Sequence, residues 1–264
     1  MARYYLKVFG VPELSRDGIP LYLTRKKALA TLVYLATTGR TISRSSLCSL
    51  LWPTLDQRRA EATLRTTLSA LRVLAHDGVI NVNRRMVALA TDAPLRTDIE
   101  DLEEAAHRLV SINESGSSDI DYEGFLRAIE PYSAGFLTGF SIDGSAEFDT
   151  WTAMKSEQLR SDLLRVLNTY LGHAVSMGDH EWAIRLSMRY LHEDPLAEDI
   201  HVLLMGEYAA IDRPDLSAMQ YRKLATTLSA EMGAQPREAT QALYKEACVS
   251  LGGNESYEQR ELQR

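Results

Sequence analysis

Two cysteines in 264 residues, Cys48 and Cys248, stand two hundred positions apart, and neither belongs to a CxxC pair. Their number and spacing argue against a disulfide framework or a zinc site, and both thiols are expected to be buried and free. No window approaches eighteen uninterrupted apolar residues, which removes a membrane-spanning helix. The opening MARYYLKVFG is too short and too rich in tyrosine for the apolar core of a signal peptide, so a cytoplasmic location is expected. The chain also lacks a GxxxxGK loop, an HExxH pair and a GxSxG elbow. Its six histidines, His76, His107, His173, His180, His192 and His201, include no two at i, i+4, the spacing that would place a metal pair on one helix face. Acidic pairs such as Glu103-Glu104 and Asp98 with Asp101 read as a solvated helix face, and Trp52, Trp151 and Trp182 as packing residues. No catalytic residue, cofactor or metal ion is expected.

What is present is an uneven distribution of charge. The whole chain carries −7. Residues 1–97 hold 15 Lys and Arg against 6 Asp and Glu, a net +9, while residues 98–264 hold 14 against 30, a net −16. A basic half neutralises polyanions with an affinity that falls as salt rises, and an acidic half is repelled by the same phosphates. Such asymmetry points towards nucleic acid, and an acidic protein partner would be the other reading.

The basic part reads as a small sheet followed by three helices and a hairpin. Tyr4 to Phe9 is a strand, closed by Gly10 and Pro12; Arg16-Asp17-Gly18 is a turn, and Leu21 to Leu23 a second short strand. After Thr24, the stripe Leu29, Leu32, Val33 and Ala36 marks a helix over 25–38, ended by Gly39. Ser43 caps a second helix that Pro53 ends, and Asp56 caps a third, DQRRAEATLRTTLSALRVLA, broken at Gly78. Residues 79–82 and 86–90 then form a hairpin with Arg84 and Arg85 at its tip. This is the element order of a winged helix, whose third helix enters the major groove while the wing touches the backbone or the minor groove.

The third helix has two unlike faces. Ala60, Leu64, Leu68, Leu71 and Ala75 form an apolar stripe that needs a core. Arg58, Arg65 and Arg72 recur every seven residues along one edge of the other face, around the low-profile positions Ala62, Thr66 and Ser69. Short side chains permit close approach, and arginine reaches phosphates or guanine edges. The candidate DNA-contacting set is Arg58, Arg59, Arg65, Thr66, Ser69 and Arg72 on this helix, with Lys26, Lys27, Arg84 and Arg85 on phosphates. A solvated basic face on an ordinary amphipathic helix is the competing reading, as is a solvated turn for the two wing arginines.

From Asp98 the chain is helical in texture. DIEDLEEAAHRLV is a short acidic helix, INESGSSDIDYEG a polar loop, and EPYSAGFLTGFSIDGS an aromatic-rich connector. A long helix is predicted from Glu147 to Met177, ending at Gly178. Two segments beyond it repeat the order turn, helix, turn, with Ala183 and Ala218 offset by 35 positions, close to the 34-residue period of tetratricopeptide modules. The expected domains are 1–97, 98–251 and a polar tail over 252–264. The fold class is mainly α with small β-sheets: an N-terminal winged helix-turn-helix followed by an all-α, tetratricopeptide-like domain.

The segments LKVFG, TRKKALATLVYLATTGRTISRSSLCSLLWP and EATLRTTLSALRVL resemble the OmpR-type winged helix of the Streptomyces antibiotic regulatory protein (SARP) family. YSAGFLTGF, FDTWTAMKSEQLRSDLLRVL, Ala183, Asp194-Pro195-Leu196-Ala197-Glu198, His201, Ala218, Tyr221, Leu228 and Glu231 to Pro236 resemble the bacterial transcriptional activator domain that follows it there. The likeness runs from about Leu6 to Cys248. It implies a transcriptional activator that binds promoter direct repeats on double-stranded DNA and recruits RNA polymerase including its sigma factor; the acidic helical domain is expected to serve protein contacts and dimerisation into a homodimer. On the family pattern RNSLRTALSRLR, Arg65 and Arg72 carry over as DNA contacts, while Glu61 and Ala70 stand where cations are common. With no segment ahead of the winged helix, phosphorylation of a receiver domain is not expected as the switch. Two other functions fit the same residues: a helical-repeat interaction scaffold, and the front of a longer regulator carrying an ATPase or sensor.

Overall fold

The computed structural model describes residues 3–23, 25–39, 41–75, 78–115 and 120–250. Thr24, loop positions 116–119 and the polar tail therefore lie outside the described residues, and so does the side chain of Ala75. The chain divides into two compact units after Ser161.

In the first unit, β1 (Tyr4–Lys7) alternates buried Tyr4 and Leu6 with exposed Tyr5 and Lys7, as a strand covered on one face must. It pairs antiparallel with β2 (Glu13–Arg16), which pairs antiparallel with β3 (Ile19–Leu21) across the Asp17-Gly18 turn. The first helix, α1 (Lys26–Thr38), ends at Gly39, whose φ of 60° and N–H bond to the Leu35 carbonyl make the left-handed cap that glycine adopts at least cost. Short β4 (Ile42–Ser43) leads into α2 (Arg44–Leu51), capped by the Ser43 hydroxyl on the Ser46 N–H at 2.9 Å. Next come α3 (Gln57–Ala75), then β5 (Ile80–Val82) and β6 (Met86–Leu89), which with β4 make a three-stranded antiparallel sheet in the order β4-β6-β5. Finally β7 (Leu95–Thr97) lies parallel to β1 and completes the order β3-β2-β1-β7.

Strands β2, β4 and β7 have three or fewer apolar residues each and no run of alternation, which is why the sequence pattern does not reveal them. Beyond β7 lie α4 (Asp98–Ser115) and α5 (Tyr122–Ile129), followed by a 3-10 turn over Glu130–Ala134. The predicted polar loop is thus shorter than expected. Its first residues extend α4, and its last open α5, where Asp121 caps the Gly124 N–H at 2.7 Å.

These helices share a core with the winged helix. The Asp98 carboxylate accepts hydrogen bonds from the Val8 N–H at 2.9 Å and the Phe9 N–H at 3.1 Å, both buried. Tyr34 of α1 meets Trp151 at a centroid distance of 4.8 Å, and Phe136 and Phe148 close on the same indole. Trp151 belongs to α6 (Ala146–Ser176), whose N-terminus is fixed by Ser145: its hydroxyl donates to the Leu50 carbonyl of α2 and accepts from the Phe148 N–H.

The second unit contains the rest of α6 and two helix pairs, α7 (His180–Glu193) with α8 (Glu198–Ala210) and α9 (Pro214–Met232) with α10 (Glu238–Ser250). Helices α7 to α10 pack each on the next. Ala183 and Ala218 are both buried, the small residues that let each repeat's first helix approach its neighbour. Both cysteines are free, as expected, but Cys248 is only half-buried. Among the described residues no helix is long and apolar enough to cross a membrane.

Candidate nucleic-acid interface

Helix α3 starts where the Asp56 carboxylate accepts the Arg59 N–H at 3.0 Å. Ala60, Leu64, Leu68 and Leu71 are buried, against α1 and α2, as the apolar stripe requires. Thr67 is buried with them, a position the stripe omitted because its side chain is polar. Its hydroxyl donates to the Thr63 carbonyl at 2.9 Å, which satisfies the group and leaves its methyl for the core.

The opposite face is open. Arg58, Arg59, Ala62, Arg65, Thr66, Ser69, Arg72 and Val73 are exposed. At 100° per residue, Arg58, Arg65 and Arg72 follow one edge of the face, and Ala62, Thr66, Ser69 and Val73 run along its middle. Arg59 pairs with Asp56 at 3.3 Å. Among the described residues Arg58, Arg65 and Arg72 make no ion pair. Glu61 accepts a hydrogen bond from Gln57 at 3.1 Å, so the one acid on the helix is engaged along its own flank. Thr66 donates its hydroxyl to the Ala62 carbonyl at 3.2 Å and presents its methyl and oxygen lone pairs outwards.

The remaining predicted residues divide. Lys26 is exposed at the start of α1. Lys27 turns the other way, its ammonium 5.5 Å from the Trp52 ring centroid, and burial lowers its pKa while Asp143 acts against that shift. Arg84 and Arg85 are exposed between β5 and β6, where the Asn83 side-chain oxygen accepts the Arg85 and Met86 N–H groups at 2.8 and 2.7 Å. The Arg85 carbonyl accepts the Arg44 N–H at 2.8 Å, so the tip is anchored to the start of α2.

Sequence reasoning missed Tyr22 and Arg25, which line one wall of an open groove of about 460 Å³ whose other wall is Thr66, Ser69 and Val73. The one available signal was the unbroken run Arg25-Lys26-Lys27. Arg96, by contrast, is neutralised: it lies 2.7 Å from Asp101 and 2.8 Å from Glu104, which hold its pKa above the ordinary range. The arrangement offers a convex, cation-edged helix with short side chains at its centre. Among the described residues no cluster could hold a metal ion.

The family model described as the bacterial transcriptional activator domain matches residues 97–247. "Transcriptional regulatory protein MoaR1" of Mycobacterium bovis (strain BCG / Pasteur 1173P2) is 25% identical over 241 residues, covering 90% of this chain and 76% of that protein. MoaR1 of Mycobacterium tuberculosis (strain ATCC 25618 / H37Rv) matches with the same identity and coverage. The solved structure "Mycobacterium tuberculosis EmbR in complex with low affinity phosphopeptide" superposes with a TM-score of 0.67 at 18% identity, a likeness of fold. The match covers 94% of this chain and 66% of that one, just under two thirds.

Proposed function

This chain belongs to the bacterial transcriptional activator domain family, the family of SARP-type transcription regulators, and from that premise we propose that it binds promoter DNA through α3 and activates transcription in the cytoplasm. The observation that carries the reading is the outward face of α3: three arginines along one edge, without ion pairs among the described residues, around side chains short enough to let a helix enter the major groove. Arg65 and Arg72 reach base edges or phosphates, Ser69 and Thr66 lie over the base pairs, and Arg58 holds the backbone, with Arg59 beside it in a minor part because it is paired with Asp56. Lys26, Arg84 and Arg85 contact flanking phosphates. Lys27 is the weakest member of this set, since its ammonium rests against Trp52.

The acidic helical unit provides protein contacts, to RNA polymerase including its sigma factor and to a second copy on promoter direct repeats. An acidic surface is kept off DNA by its own charge, which leaves it available for such contacts. Immunoprecipitation of the protein with its bound DNA, read across a genome, tests the whole reading. Enrichment at a small set of promoters sharing a repeated motif is expected, and uniform recovery of DNA without a motif would overturn it.

A further inference from the structure

Val73 is a β-branched apolar residue 78% exposed on the outward face of α3. Burial does not explain it, because the core stripe of the helix lies on the other side. It continues a line that runs Ala62, Thr66, Ser69, Val73, at i, i+4, i+7 and i+11. Three of these four side chains end in methyl groups. Thr66 has already spent its hydroxyl proton on the Ala62 carbonyl, so Ser69 alone keeps a hydroxyl without a hydrogen-bond partner among the described residues. The middle of the face is therefore apolar in chemistry although it is open to water, and cationic groups border it: Arg65 and Arg72 on one edge, Arg25 across the groove on the other.

A polyanion is the partner that such charge flanks, and the major groove of a DNA duplex contains one protruding apolar group, the 5-methyl of thymine. Resting on the proposal that α3 enters that groove, the geometry points to a reading code within it: Ala62, Thr66 and Val73 recognise thymine methyl groups, while Arg65 and Arg72 supply the polar and phosphate contacts. Val73 is the specificity-determining residue at the C-terminal end of the line. Tyr22, 86% exposed on the opposite wall of the groove, covers the same methyl from the side. The operator accordingly presents thymines along the face read by α3, at least one of them opposite Val73.

The test uses the full chain and duplexes that it selects from a random pool. Each thymine of the selected site is replaced in turn by uracil, which removes the methyl and keeps every hydrogen-bonding group. With the wild-type chain, at least one replacement should weaken binding about fourfold, the factor that corresponds to withdrawing one methylene-sized group from contact. In Val73→Ser that replacement should have no further effect, and Val73→Thr, which keeps one methyl, should restore part of it. Arg65→Ala should weaken both duplexes equally and leave the uracil penalty in place. If the wild type selects and binds a site but no uracil replacement matters, or the penalty persists in Val73→Ser, the methyl code is wrong and DNA binding stands. If the chain selects no duplex at all, the code and the DNA-binding reading both fall. Since Val73 is exposed, its substitution leaves the fold intact, and circular dichroism of each variant verifies this.

Discussion

His201 is 1% exposed, and both of its ring nitrogens are engaged. Nδ1 lies 2.6 Å from the Gln220 amide nitrogen, a donor, so it accepts; Nε2 carries the proton and donates to the Pro195 carbonyl at 3.1 Å. Only the neutral ring satisfies both neighbours, and burial lowers its pKa below the ordinary 6.5, with the Lys223 charge adding to the shift and Glu198 opposing it. In the unfolded chain the ring takes up a proton near 6.5, and in the folded chain only at lower pH. The stability it contributes is therefore complete above 6.5 and is lost as pH falls below that value. Thermal melts between pH 7.5 and 5 should show this loss, and His201→Leu should show a smaller pH dependence. The same variant orphans the Gln220 amide and the Pro195 carbonyl, and should be less stable at pH 7.5 by about 2–4 kcal/mol. The family resemblance picked out His201 as a conspicuous position, but its partners lie 6 and 19 residues away: Pro195 in the turn before α8, and Gln220 brought to it by the packing of α8 on α9.

At the scale of elements, Asp98 carries more weight than its place in an acidic helix suggested. As a composition boundary, residues 97 and 98 separate a basic stretch from an acidic one; in the fold, Asp98 is buried and holds the end of β1 through the Val8 and Phe9 N–H groups. Burial pushes its carboxyl above the ordinary carboxylate range, and those N–H donors pull it back. Asp98→Ala leaves two buried backbone donors without an acceptor, and should cost about 2–4 kcal/mol in denaturant unfolding of the first unit. The compact unit accordingly continues to Ser161, whereas the family match begins at residue 97. Local signals were legible where the physics is local. Gly39, Ser43 and Asp56 act as the sequence predicts because a cap depends on three or four neighbouring residues. Strands β2, β4 and β7, Thr67 in the core, Lys27 on Trp52 and the groove beneath Tyr22 depend on partners distant in the chain. On α3 the arginine edge is read from a period of seven, whereas Val73, which the same helical geometry places opposite Leu64, Leu68 and Leu71, is left out of the predicted outward face because it is apolar; its exposure puts it there.

For the whole molecule the decisive property is its division of charge, +9 over residues 1–97 and −16 over the rest. If about five cations of the first unit meet phosphates, the logarithm of the binding constant should fall with the logarithm of salt at a slope of about −4.5, so affinity drops several hundredfold between about 50 and 200 mM. Arg59, paired with Asp56, and Arg96, held by Asp101 and Glu104, are expected to add little to that slope. Arg58→Ala and Arg84→Ala should each reduce it by about one unit without changing which sequence is preferred. The central claim is that α3 reads promoter DNA, and titration of a fluorescent selected duplex with wild-type chain and with Arg65→Ala/Arg72→Ala tests it most directly. Each arginine is predicted to contribute about 1–3 kcal/mol to specific binding, with the preference over a scrambled duplex reduced in the double variant. A folded double variant that binds the selected duplex as tightly, and as selectively, as the wild type would contradict the account.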